Sequence, residues 1–216
     1  VIYSSAFEKC KKLSNITIPN KLQTIDSFAF EGCASLNEAI LPDSLIDIDI
    51  GAFKDCSNLS KVRLSAKIDV IEDSCFENCS SLREVVIPQG IKRLGKKCFK
   101  GCSLLSEVKI PSSLEKIGKF AFEGCRSLEK IEIENTQIER GVFDKCEKLK
   151  EIKLGANAKM SCQEPGFISY LTKKDGYFYL TEDMISKDSF LLAGTNLDVD
   201  VFVSLWEERE NIQLYN

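Results

Sequence analysis

The sequence predicts a repeat solenoid, an α/β-type repeat protein that is predominantly β and right-handed, with parallel strands along one face and a small C-terminal β-rich or capping module. Three observations carry this prediction. Phenylalanine recurs at Phe7, Phe30, Phe53, Phe76, Phe99 and Phe122, each 23 residues after the last, and then at Phe143 after a step of 21. Cysteine stands three residues behind each, at Cys10, Cys33, Cys56, Cys79, Cys102, Cys125 and Cys146. Leucine stands three further on, at Leu13, Leu36, Leu59, Leu82, Leu105, Leu128 and Leu149. A fixed period in the range of about 20 to 50 residues overrides any local pattern, because one such unit cannot bury its apolar side alone and must stack on its neighbours.

Within each unit the elements follow in order. An alternating pair such as Ile16/Ile18, Val62/Leu64, Val108/Ile110 or Ile131/Ile133 comes after the leucine, and period-two alternation is the mark of a half-buried strand. Proline closes the strand in four units, at Pro19, Pro42, Pro88 and Pro111, where the missing N–H ends the ladder. A second apolar pair (Leu22/Ile25, Leu45/Ile48, Ile68/Ile71, Ile91/Leu94, Leu114/Ile117) leads into the next small residue and phenylalanine. The spacing Leu-x-x-Ile-x-Ile lies in the leucine-rich-repeat range, one short strand per unit, with neighbouring strands about 4.8 Å apart. The fuller pattern, running from Leu105 through Val108, Ile110 and Pro111 to Ala121, Phe122 and Cys125, resembles the BspA-type leucine-rich repeat of bacterial and protozoan surface proteins. The resemblance covers residues 1–155 in seven copies, the first without its leading half and the last two without proline (Glu134, Gly155). End repeats depart from the pattern, so a leucine-rich-repeat solenoid is expected over 1–155 and a C-terminal cap or small β-rich module over 156–216.

The composition changes at that boundary. Beyond Gly155 no phenylalanine or cysteine recurs in phase, and Trp206 and four of the five tyrosines (Tyr170, Tyr177, Tyr179, Tyr215) cluster there. The tail holds 5 basic and 10 acidic residues, against 24 and 23 before it. Lys173 to Leu180, with Asp175-Gly176, reads as a turn feeding a strand, and Leu197 to Leu205 alternates as a strand. An exposed end of a parallel stack invites aggregation, which favours a cap over an independent contact module. At the other end Ile2 falls in phase with Ile25, so the chain begins inside a repeat and reads as a trimmed piece whose targeting signal lies outside it.

Composition removes several function classes. The net charge is −4, which lacks the electrostatic footprint of a nucleic-acid binder. No apolar run of about 18 residues offers a membrane span. There is no histidine, which takes away Ser-His, Cys-His and His-metal chemistry. Nine of the ten cysteines sit in repeat columns, Cys75 and Cys98 replacing the alanine of Ala6, Ala29, Ala52 and Ala121, and are read as small buried hydrophobes. Cys162 alone lies outside the array, without a cationic partner to activate it. Gly90 to Lys97 matches G-x-x-x-x-G-K, but Lys97 stands where a phosphate loop needs Ser or Thr, and Ile91 and Leu94 belong to the repeat. Asn15, Asn58 and Asn78 open sequons by pattern. No enzyme, cofactor or metal is expected.

A binding face follows from the strand alternation. If Ile16 and Ile18 point inward, their neighbours point out. One outward column runs Thr17, Ile40, Arg63, Val86, Lys109, Glu132, Lys153, and the next runs Asn15, Glu38, Lys61, Glu84, Glu107, Lys130, Glu151. Opposite charges on neighbouring rungs predict the ladders Glu38-Lys61-Glu84, Glu107-Lys130-Glu151 and Lys109-Glu132-Lys153, interrupted where Ile40, Arg63 and Val86 set a basic group between two apolar ones. The candidate partner-binding residues are therefore Thr17, Ile40, Arg63, Val86, Lys109, Glu132, Lys153, Lys61 and Glu84. The resemblance implies a non-catalytic binding module of a cell-surface or secreted protein, contacting an extracellular-matrix or host protein in adhesion. The alternative is an intracellular interaction scaffold using the same face. The sequence gives no oligomeric state.

Overall fold

A computed structural model describes residues 1–154, apart from the side chains of Glu151 and Leu154, and the backbone of four later strands: Lys159–Cys162, Thr172–Lys174, Tyr177–Leu180 and Val199–Phe202. The chain forms a parallel-strand β-solenoid of about six turns. Each complete turn supplies two strands. The longer ones line one face: Glu38–Ile40, Lys61–Arg63, Glu84–Val86, Glu107–Lys109, Lys130–Ile133 and Glu151–Leu154. The shorter ones line a second: Thr24–Ile25, Asp47–Ile48, Val70–Ile71, Arg93–Leu94, Lys116–Ile117, Gln137–Ile138 and then Lys159–Cys162. Ile2 joins this second series through a parallel bridge to Ile25, as its phase requires.

The longer strands pair two by two, Glu38–Ile40 with Lys61–Arg63, Glu84–Val86 with Glu107–Lys109, and Lys130–Ile133 with Glu151–Leu154, all parallel. The shorter series is hydrogen-bonded without a break from Val70–Ile71 to Lys159–Cys162. No helix occurs among the described residues; the stretch from the short strand to the cysteine is a run of tight turns. Those turns also bind rung to rung: the amide of Phe30 donates to the Ala52 carbonyl at 2.8 Å, that of Phe76 to Cys98 at 2.8 Å and that of Phe122 to Val142 at 3.0 Å. Two turn positions have positive φ in every unit, one running from Ser5 to Gly141 and the other from Lys9 to Lys145. Gly51 fills the first at +61°, where a Cβ would lie 2.5 Å from the ring of Phe28 one rung earlier.

The core is the set of columns read from the sequence. Phe30, Phe53, Phe76, Phe99 and Phe122 are fully buried. From Phe7 to Phe143 the rings stack almost parallel, with centroids 5.1 to 5.6 Å apart until the last step of 6.1 Å, from Phe122 to Phe143. That wider step crosses the shortened unit. There the two missing residues fall between Ile133 and Ile138, and buried Thr136 donates its hydroxyl to the Leu114 carbonyl at 2.8 Å, as Ser44 does to Leu22. Ser65 does the same in the third unit, where proline is absent, donating to Leu45 at 2.7 Å. A buried carbonyl must have a partner, and these hydroxyls supply it.

Both series end in antiparallel strands. Tyr177–Leu180 pairs with Glu151–Leu154 and forms a hairpin with Thr172–Lys174, and Val199–Phe202 pairs with Lys159–Cys162. The strands expected near Tyr177 and within 197–205 are thus present. Tyr170, Trp206, Tyr215 and the Asp175-Gly176 turn lie outside the described residues, as does the side chain of Cys162.

Candidate functional site

The longer strands alternate as their sequence requires, with the middle residue inward: Ala39, Val85, Val108 and Ile131 are buried while their neighbours face water. Thr17, Ile40, Arg63, Val86, Lys109, Glu132, Lys61 and Glu84 are exposed, and Lys153 is half-buried. Thr17 shares the column but lies outside any strand. Register sets Ile40 beside Arg63, Val86 beside Lys109, and Glu132 beside Lys153.

The face has two parts. In the first, Ile40 is 38% exposed and Val86 57%, with Arg63 between them. The guanidinium is held in place: Nη2 donates to Asp43 Oδ1 at 2.6 Å and Nη1 to the Leu41 carbonyl at 3.4 Å. In the second, an open groove of about 1060 Å³ runs over Glu107–Lys109 and Lys130–Ile133 and reaches Lys153. Its charges are mixed, with Lys153 Nζ 2.6 Å from Glu132 Oε1 and Lys109 Nζ 3.5 Å from Glu107 Oε1. Thr17, Ile40, Arg63 and Val86 do not line it.

Among the described side chains the expected charge ladders close at one step, and the Lys130–Glu151 step lies outside them. Glu38 stands opposite Lys61, yet among the described residues neither that step nor the one to Glu84 forms an ion pair, and of the expected ladder steps Glu132–Lys153 is the one that does. Glu84 and Glu107 stand directly opposite each other as like charges, a mildly unfavourable arrangement. Two cross-rung pairs lie instead in the column of the residue after each phenylalanine, Glu31–Lys54 and Lys100–Glu123, with Lys145, one position further along its own turn, adding to the second. Lys54 reaches Glu31 at 2.7 Å, and Glu123 is held between Lys100 at 2.7 Å and Lys145 at 2.8 Å. Burial alone would raise the Glu123 carboxyl, but the two ammonium groups hold it below its ordinary range. Asp144, next in that column, is pushed up to about 6 by burial and then by Glu123, and its Oδ1 has no hydrogen-bond partner. The signal was in the sequence: from Glu31 to Glu123 this column alternates in sign at every unit.

The cysteine column also does more than fill space. The nine described cysteines are free thiols, all buried except Cys10 at the first turn. Each of the six repeat-column cysteines after Cys10 donates its thiol to the carbonyl of the preceding rung's phenylalanine, from Cys33 to Phe7 at 3.1 Å through Cys125 to Phe99 at 3.3 Å and Cys146 to Phe122 at 3.2 Å. Burial, reinforced by neighbouring cysteines, pushes Cys33 up to about 11 and Cys56 to about 12, and Cys79, Cys98 and Cys125 well above the ordinary thiol range. A thiol held protonated is a poor nucleophile and a poor metal ligand. Among the described residues no group of three or more Cys, Asp or Glu is arranged to hold a metal ion, and no helix is long and apolar enough to cross a membrane.

The description "BspA type leucine rich repeat region" fits the chain in six copies, over residues 1–105 and 71–167. None of the curated proteins is matched by the sequence. Among solved structures, a leucine-rich-repeat protein of T. pallidum is 28% identical, with a TM-score of 0.59, over 62% of this chain and 66% of its own. A leucine-rich cell surface protein of Faecalibacterium prausnitzii is 38% identical, with a TM-score of 0.51, over 52% of this chain and 30% of its own. A leucine-rich-repeat protein of Eubacterium ventriosum shares the fold at 23% identity, TM-score 0.56, over 81% of this chain and 44% of its own. The chain thus spans just under two thirds of the first and less than a third of the second.

Proposed function

We propose that this chain, which belongs to the BspA-type leucine-rich repeat family, is a non-catalytic protein-binding module of a cell-surface or secreted protein, acting in adhesion through its strand-lined face. One observation carries the reading: Ile40 and Val86 stand exposed on either side of Arg63, whose guanidinium is fixed by Asp43. An apolar pair around a positioned arginine is the composition of an interaction centre, and a rigid sheet presents it without the cost of ordering a loop. The groove over Lys109, Lys130 and Glu132 extends the same face and supplies a polar margin. Surface location draws support from the Faecalibacterium prausnitzii cell surface protein, 38% identical where the two align.

The reading takes 156–216 as a cap on a 1–155 solenoid. The antiparallel strands Tyr177–Leu180 and Val199–Phe202 lie against the last parallel strand of each series, where a cap is needed. The test is binding to a panel of extracellular-matrix and plasma proteins, with Arg63→Glu/Val86→Asp as control. Saturable binding lost in the variant is the expected result; binding that survives both substitutions overturns the assignment of the face. Free buried thiols suit an intracellular scaffold equally well, and protease shaving of intact cells separates that alternative, since a surface protein is cleaved and an intracellular one is spared.

A further inference from the structure

The second face, lined by the shorter strands, divides its charge by turn. Its first half carries Asp26, Asp47, Asp49 and Asp69, and burial together with Asp49, Asp26 and Asp69 pushes the Asp47 carboxyl up. Two apolar side chains, Ile46 and Ile50, stand among them, 51% and 41% exposed. Its second half carries Lys92, Lys96, Lys97 and Lys119, of which Lys92, Lys96 and Lys119 are exposed. None of these four lysines forms an ion pair among the described residues, although Glu115 lies beside Lys92 on the next rung. Elsewhere the chain neutralises its charges from rung to rung: Arg93 binds Glu72 at 2.9 and 3.0 Å, and Lys116 binds Glu139 at 2.7 Å. Leaving four acids and four bases without an ion-pair partner among the described residues on one surface is not what solubility requires, since interspersed signs serve that better.

We propose that this face docks against the same face of a second copy of the chain, with the two solenoids antiparallel. The inference is independent of the adhesive reading above, which uses the other face. Both patches lie on one surface, so a two-fold axis along the strand direction, between Val70–Ile71 and Arg93–Leu94, sets the acidic half of one copy against the basic half of the other. It reverses the order of rungs and keeps each column in place. Asp69 then stands opposite Lys92 of the second copy and Asp73, 4.0 Å from its own Arg93, opposite Lys96, while Asp47 faces Lys116, which its own chain already pairs with Glu139, and Ile50 lies under the aliphatic stem of Lys119. A parallel arrangement would set acid on acid and base on base. The matching rungs span only about 15 Å at a spacing of about 4.8 Å, so the contact falls below the ~800 Å² per partner of a stable interface and the pair is weak, reversible and dependent on salt.

The test is sedimentation of the full chain under reducing conditions, which keep the exposed Cys10 from cross-linking. At concentrations up to about 1 mM and low salt the wild type shows a concentration-dependent dimer, weakened at least about tenfold in about 0.5 M salt. Asp69→Lys/Asp73→Lys and Lys92→Glu/Lys96→Glu each abolish it, and an equimolar mixture of the two variants, in which every reversed charge again meets its opposite, restores a dimer. A wild type that stays monomeric at low salt overturns the proposal without recourse to the variants. So does a mixture that fails to associate, and so does a dimer indifferent to salt. A lysine patch made for a polyanion shows itself by a monomeric wild type that shifts only when heparin is added, and that too overturns the pairing of copies.

Discussion

Along the phenylalanine column each ring meets its own copy one rung away, nearly parallel and 5.1 to 6.1 Å distant, and all seven units carry the same residue. Along the outward column of the strand face, Thr17, Ile40, Arg63, Val86, Lys109, Glu132 and Lys153 present six different side chains in seven units. The two columns have the same period and the same backbone. They differ in what a side chain must satisfy: inside, it has to fit the ring above and below at native packing density, whereas outside it meets water. Identity marks the columns that hold the stack, and variation marks the surface free to recognise a partner.

The largest effect tests the inside column. Phe76→Ala removes a ring stacked on both Phe53 and Phe99 and is expected to cost about 3 to 5 kcal/mol in thermal or denaturant unfolding. An unchanged melting temperature would show that the rings do not carry the stack. Next comes the thiol column. Cys102→Ala deletes the donor to the Phe76 carbonyl and leaves a small void, for an expected loss of about 1 to 2 kcal/mol. A thiol titration reports on the same column: close to all ten thiols react in denaturant, but in the native protein, of the nine described thiols, only Cys10 reacts quickly.

Asp144 sharpens the comparison from the edge of the core. Its carboxyl is raised from about 3.8 to about 6, so the folded state binds the proton more tightly than the unfolded chain. Stability from this group is therefore full below about pH 4 and is lost as pH rises through 6. Asp144→Asn should raise the unfolding free energy by on the order of 1 to 2 kcal/mol at pH 7 and by little at pH 4. A gain of equal size at both pH values would show that burial of the charged carboxylate is not the cause.

Much of this was legible because a solenoid repeats its constraints. The period located the core columns, the burial of the repeat cysteines other than Cys10, which the first turn leaves exposed, and the exposure of Ile40 and Val86, and alternation alone placed a strand within 197–205. The thiol-to-carbonyl bonds were hidden because burial explains a cysteine column equally well without them. The Glu38–Lys61–Glu84 ladder does not close, for a physical reason. On the strand face Lys61 and Glu38 project into water, where holding two long side chains together costs as much entropy as the pairing returns. Beside the turns, Lys54 and Glu31 are only 29% and 19% exposed in their side chains, and neighbouring backbone restricts them enough for the pair to close.

The division between stack and face is tested most directly by the unfolding midpoint of Arg63→Glu/Val86→Asp beside that of the wild type. Both side chains are exposed and Arg63 gives up only a surface pair with Asp43, so the two proteins should unfold within about 0.5 kcal/mol of each other. A loss of about 2 kcal/mol or more would contradict the account, because it would place these residues among those that hold the solenoid together.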